Sequence, residues 1–232
     1  MRRTFLGKLR NRAMSSCLSK KLLCALVALL LMALASVASA QQQHEVLLHK
    51  FNVNDGSTPQ GIVMAPNGDM FGATIFGGAN NAGAVYKLVQ NGDRSELTVI
   101  YSFSFQNSDG YFPLGNLILD SQGNIYGATF HGGAYNAGAV FELSPLPGGQ
   151  WREKILHSFG ESPSDGSQPW DHLYIDPQGN LFGTTETGGG TNCQGGCGTA
   201  YELSPLPGGQ WKETIIFNFD AEGGADGLSI NV

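Results

Sequence analysis

The side chains able to do chemistry fall into a recurring set and an irregular one. Asp55, Asp109, Asp165 and Asp226 recur, each followed by glycine. Gathered on one face, Asp55, Asp109 and Asp165 would form an oxygen-rich site suited to Ca²⁺, a hard cation that takes several oxygen ligands. The same Asp-Gly pair also makes a turn whose carboxylate bonds its own backbone, and that reading carries more weight. The irregular set centres on Trp170-Asp171-His172, which stands where another copy has Leu114-Gly115-Asn116. A stacking surface, a carboxylate and an imidazole in a row suit a sugar-binding patch or part of a metal site. A Trp packed between sheets explains the same residues without a ligand. Asn116 and His131, the latter replacing Phe76 and Thr187 in its copy, complete the candidate ligand-binding set. His49 and His157 align with Ser102 and Asn218 and read as surface positions. No Gly-x-Ser-x-Gly, no His-Glu-x-x-His and no isolated reactive thiol accompanies them, so no nucleophile arrangement is legible.

The elements that must position these residues repeat. Gly72, Gly127 and Gly183 recur at gaps of 55 and 56, and Phe51, Phe103, Phe159 and Phe219 at gaps of 52, 56 and 60. Each unit holds four short runs rich in β-branched and aromatic residues, cut by Gly, Pro and Asn-Gly turns. That spacing leaves no room for a helix of ten or more residues. Four antiparallel strands per unit of fifty-odd residues is the pattern of a β-propeller blade. The expected fold is therefore all-β, a propeller-like array of three four-stranded blades at about 59–103, 113–159 and 169–219. Partial strands flank it: an outer strand at 46–52 and a stub at 226–232. Three blades do not close a ring, so the array is incomplete, and truncation of a longer propeller is the first explanation. Tyr86, Phe141 and Tyr201, with Phe71, Tyr126 and Phe182, are the expected core. Gly72, Gly127 and Gly183 are expected to let sheets approach closely.

The Asp-Gly-x-x-Pro opening, the Gly-Asn-(Leu/Ile)-(Tyr/Phe)-Gly-(Ala/Thr)-Thr centre and the Gly-(Ala/Thr)-x-(Tyr/Phe)-(Glu/Lys)-Leu close resemble the GloVer tandem repeat of secreted bacterial proteins. The resemblance runs from about Val46 to the C-terminus and implies NHL-like propeller blades. It implies no particular activity, because propellers host many functions.

Residues 1–40 read as a secretory signal: a basic start, an apolar run at Leu22–Ala35 and a small-x-small site at Ala38-Ser39-Ala40. The apolar run is too short to span a bilayer comfortably, so no membrane span is expected after cleavage. Seven of the 13 Lys and Arg lie in that segment and none of the 19 Asp and Glu, which leaves 6 basic and 19 acidic residues, a net charge of −13, after it. Such an acidic chain does not suit nucleic acid, whose phosphates need a basic face. Of four cysteines, Cys193 and Cys197 lie beyond the signal, in a Gly-rich insertion. In an oxidising compartment they read as a local disulfide rather than half a zinc site.

These readings add up to a secreted, periplasmic or cell-surface module, non-catalytic, binding an extracellular glycan or protein. No cofactor is expected, with Ca²⁺ as the exception the acidic loops allow. Open blade edges invite self-association. The alternatives are a propeller-type metal-dependent hydrolase or lactonase, and an inactive fragment of a longer propeller.

Overall fold

Period-2 patterning decides the elements. In β8 (Trp151–Ser158) exposed Arg152 and Lys154 alternate with inward-facing Trp151, Glu153 and Ile155, the signature of a strand with one face buried. The structure, a computed structural model, describes residues 46–92, 94–170, 172–190 and 195–219. Among these there is no helix, and so none long and apolar enough to cross a membrane.

The strands form three antiparallel sheets in sequence order. The first is β1 (Ser57–Met64), β2 (Met70–Phe76), β3 (Ala84–Asn91) and β4 (Arg94–Ser102). The second is β5 (Gly110–Leu119), β6 (Ile125–Gly132), β7 (Ala139–Pro145) and β8. In the third, β9 (Gly166–Pro169) and β10 (Tyr174–Ile175) share the inner position against β11 (Leu181–Gly188), followed by β12 (Thr199–Pro205) and β13 (Trp211–Asn218). None closes into a barrel; they form an open, propeller-like array. Each inner strand loses register midway, between Pro59 and Ile62, between Leu114 and Ile118, and between Pro169 and Tyr174. In the third blade this irregularity widens into the break that carries Trp170.

The core lies between blades. One buried cluster joins Phe71 and Val85 of the first blade, through Phe103, to Leu117, Ile125 and Phe141 of the second. Another joins Tyr126 and Val140 of the second, through Phe159, to Leu181 and Tyr201 of the third. The recurring phenylalanine is the wedge: Phe103 stacks edge-on against Phe141 with ring centres 5.1 Å apart, and Phe159 against Tyr201 at 4.9 Å. Of the expected core, Tyr86, Phe141, Tyr201, Phe71 and Tyr126 are buried, whereas Phe182 is half-buried beside Tyr174.

Three expectations need correction. Gly72, Gly127 and Gly183 do not serve sheet-to-sheet approach. Each faces the third-strand aromatic of its own blade, Tyr86, Phe141 or Tyr201, and a Cβ on Gly127 would lie 2.6 Å from Phe141 Cζ. The ring lies over the glycine across the strand pair, filling the space a side chain would take. Residues 46–52 form no strand. Instead Leu48 and Phe51 pack on Met70, Tyr86 and Leu88, and Ser95 Oγ donates to the Leu48 carbonyl. The third inner strand is two pieces rather than one. The stub at 226–232 lies outside the described residues.

Candidate functional site

A line of aromatic rings crosses the ends of the inner strands. Phe112 occupies the position before the recurring proline, shared with Thr58 and Gln168. All three adopt left-handed backbone, φ 57 to 59°, a conformation rare for residues with a Cβ. At two of them the backbone forms a strap between blades: Phe112 N–H donates to the Ala82 carbonyl of the preceding blade at 2.9 Å, and Gln168 N–H to that of Ala137 at 2.7 Å. With its backbone held this way, the Phe112 ring meets Phe76 edge-on at 5.0 Å. It also contacts Tyr111 at 5.1 Å and Phe105 at 5.8 Å. Tyr111 adjoins His131 at 5.4 Å, His131 meets Phe130 at 4.5 Å, and Phe130 meets Trp170 at 5.2 Å. Phe76, Phe105 and Trp170 are 41, 55 and 42 % exposed. The contacts thus link rings from all three blades. Polar groups punctuate the line: Tyr111 Oη donates to Asn136 Oδ1 at 2.6 Å, and burial holds the His131 imidazole below its usual range.

The expected ligand set divides. His131 and Trp170 belong to this line, joined through Phe130. Asn116 instead reaches the neighbouring inner strand, filling the space beside Gly61. His172 is exposed at the broken strand, and Asp171 lies outside the described residues. Phe76, Phe105, Phe112 and Phe130 escaped the sequence reading. For Phe112 and Phe130 the signal was available in the columns 58/112/168 and 75/130/186, where only the second unit carries a ring.

Asp55, Asp109 and Asp165 each secure a loop of their own. Asp55 accepts Asn52 N–H at 2.6 Å and bonds His49 Nε2 at 2.9 Å. Asp109 Oδ2 accepts Ser104 N–H at 2.9 Å and Tyr101 Oη–H at 3.0 Å. Asp165 Oδ2 accepts Gly160 N–H at 2.7 Å and Glu161 N–H at 3.0 Å. The turn reading accounts for these bonds. Asp120 and Asp176 likewise secure the inner hairpins, each accepting the N–H of Asn124 or Asn180.

His49 and His157 are not surface positions. The strand pairings put His157 opposite Val140, as Tyr101 is opposite Val85 and Phe217 opposite Ala200. The matching residues are therefore Tyr101 and Phe217, one position before the aligned Ser102 and Asn218. A one-residue slip turns a strand side chain to the other face, and the true face is the blade junction. There the sequence reading also missed Glu153 and Glu213. Burial, then the nearby Asp109 charge, push the Glu153 carboxyl up to about 7. Burial also raises Asp109, against the bonds from Tyr101 and Ser104. Asp109 Oδ1 and Glu153 Oε1 are both buried without a hydrogen-bond partner. Cys197 is buried; Cys193 lies outside the described residues.

Comparison with known proteins agrees with the repeat. No match to a curated protein was found. Among solved structures, the chain is similar to a protein of unknown function from Dyadobacter fermentans DSM 18053, at 18 % identity and a TM-score of 0.42, over 73 % of this chain. It spans 56 % of the length of that protein. The model of the Gloeobacter/Verrucomicrobia repeat matches residues 34–230, and the chain belongs to that repeat family.

Proposed function

We propose that this repeat protein is an exported, non-catalytic module that binds a glycan along the aromatic line from Phe76 to Trp170. The observation that carries the reading is the continuity of that line across three blades with its outer rings exposed. Exposed contiguous rings on a soluble surface mark a binding site. Tyr and Trp rings supply apolar area at little conformational cost, and the edge-to-face contacts here restrict them further. Flat apolar rings interleaved with Tyr111, Asn136 and His131 suit sugar rings, which offer C–H faces and peripheral hydroxyls. Residues 1–40 support export, and in an oxidising compartment Cys193 and Cys197 would pair and restrain their loop. The test is calorimetric titration with soluble polysaccharide fractions chosen from a glycan array. Wild type is expected to bind, and Trp170→Ala and Phe112→Ala to lose binding at temperatures where each variant is fully folded. Glycan binding that survives both substitutions would overturn the assignment, as would silence of wild type towards the array.

A further inference from the structure

A separate cluster lies at the junction of the second and third blades. His157 comes from β8, Asp165 from the loop entering β9, and Glu213 from β13. His157 Nε2 lies 3.8 Å from Asp165 Oδ1 and 3.6 Å from Glu213 Oε2. One ligand atom from each residue falls within 4.8 Å of the others. The three side chains are 17, 7 and 16 % exposed. Asp165 Oδ1, His157 Nε2 and Glu213 Oε1 are all buried without a hydrogen-bond partner. Orphaned buried polar atoms are costly, and Asp165 Oδ1 and His157 Nε2, converging beside the Glu213 carboxylate, call for a missing partner.

The separations suggest what that partner is. Gaps of 3.6 and 3.8 Å exceed a hydrogen bond. They approach the edge of a tetrahedron with ligand bonds near 2.1 Å, about 3.4 Å. The donors are held in place. Two backbone N–H groups fix Asp165 through its other oxygen, and the His157 ring rests edge-on against Phe159 at 4.6 Å. Asp165 also lines a cleft of about 350 Å³ with Ser162 and Gly188.

The other junctions serve as internal controls. At the junction of the first and second blades the same columns hold Tyr101, Asp109 and Glu153, and the Tyr101 hydroxyl bonds Asp109 directly. Before the first blade they hold His49, Asp55 and Leu97, where His49 bonds Asp55 at 2.9 Å and the second acid is absent. An imidazole with two carboxylates occurs only at the His157 junction among the described residues, so the set is not a requirement of the repeat.

We infer that His157, Asp165 and Glu213 bind one first-row divalent transition-metal ion of the Zn²⁺ class. One nitrogen and two carboxylate donors suit Zn²⁺ or Mn²⁺ better than Ca²⁺ or Mg²⁺, which favour all-oxygen shells. The test uses the full chain after chelator treatment, titrated at pH 7.5 with ZnCl₂ and, in parallel, CaCl₂. Zn²⁺ is expected to bind at one ion per chain and raise the melting temperature, with Ca²⁺ giving neither signal. His157→Tyr and Glu213→Leu install residues that the equivalent positions already carry, so both variants should fold and lose the titration. Co²⁺ should give visible d–d bands without a thiolate charge-transfer band. A silent wild type, Zn²⁺ binding undiminished in His157→Tyr, or a thiolate band placing the ion on cysteine would each overturn the inference.

Discussion

Replacing Glu153 with leucine should stabilise the protein, by an amount that grows between about pH 4.5 and 7 and is full above. Glu153 sits in β8 opposite Leu143, where the first blade has Leu97 opposite Leu88. The fold therefore already accommodates leucine in this column. In the native state the Glu153 carboxyl titrates at about 7 rather than 4.5. Between these values the unfolded chain has released the proton while the folded chain retains it. Stability linked to this group thus falls as pH rises from about 4.5 to 7, and stays low above. The difference sets an upper limit of about 3 kcal/mol, which partial solvent access reduces to about 2 kcal/mol. Glu153→Leu removes that penalty at pH 8 and nearly nothing at pH 4.5. For a chain of this size, thermal melts should show a gain of about 4–8 °C at pH 8 and a negligible one at pH 4.5. Taking the variant against wild type at each pH cancels the titrating groups that do not interact with Glu153, and leaves the relief of Asp109 as part of the same gain. A variant that melts below wild type at pH 8, or a gain equal at both pH values, would refute the reasoning.

Other positions give sharp contrasts. Gly127→Ala should cost about 2–3 kcal/mol in urea melts, since the added methyl would lie 2.6 Å from Phe141 Cζ and 2.8 Å from Leu117 Cδ2. Gly123→Ala, in an open turn at φ +86° with no atom within 4 Å, should cost about 1 kcal/mol, from backbone strain alone. Thr185→Val should cost about 2 kcal/mol by the same assay, because Thr185 Oγ1 accepts the buried Thr199 N–H at 3.0 Å. In protein collected from an oxidising compartment, a peptide carrying Cys193 and Cys197 should resist alkylation until reduced; labelling without reductant would dismiss that pair.

The architecture was legible because it is written three times. Recurring glycines, Asp-Gly turns and four short runs per unit define blades even when individual strand limits shift, as at the broken third inner strand. The aromatic line was not legible because it assembles across junctions. Phe76 and Phe112 come from different columns of different units, and only the strap from Phe112 N–H to the Ala82 carbonyl brings their rings together. The junction acids were missed for a related reason. Period-2 alternation shows that Glu153 and Glu213 share a strand face with apolar residues, and the turn chemistry of Asp109 and Asp165 was evident. A slip of one residue in aligning the outer strands nevertheless put His157 on the solvent face. Counting back two residues from the recurring Phe51, Phe103, Phe159 and Phe219 gives His49, Tyr101, His157 and Phe217, and the bulge falls at the same place in each blade, so the correct register was present in the repeat itself.

The most direct measurement of the glycan-binding claim uses the tryptophans themselves. Trp170 is exposed, while Trp151 and Trp211 are half-buried against Phe71 and Tyr126. Acrylamide quenching of wild type should therefore be dominated by Trp170. It should fall towards the level of Trp170→Phe as a binding polysaccharide saturates the protein. Quenching unchanged at saturation, with binding proven independently, would place the sugar elsewhere and contradict the aromatic line as its site.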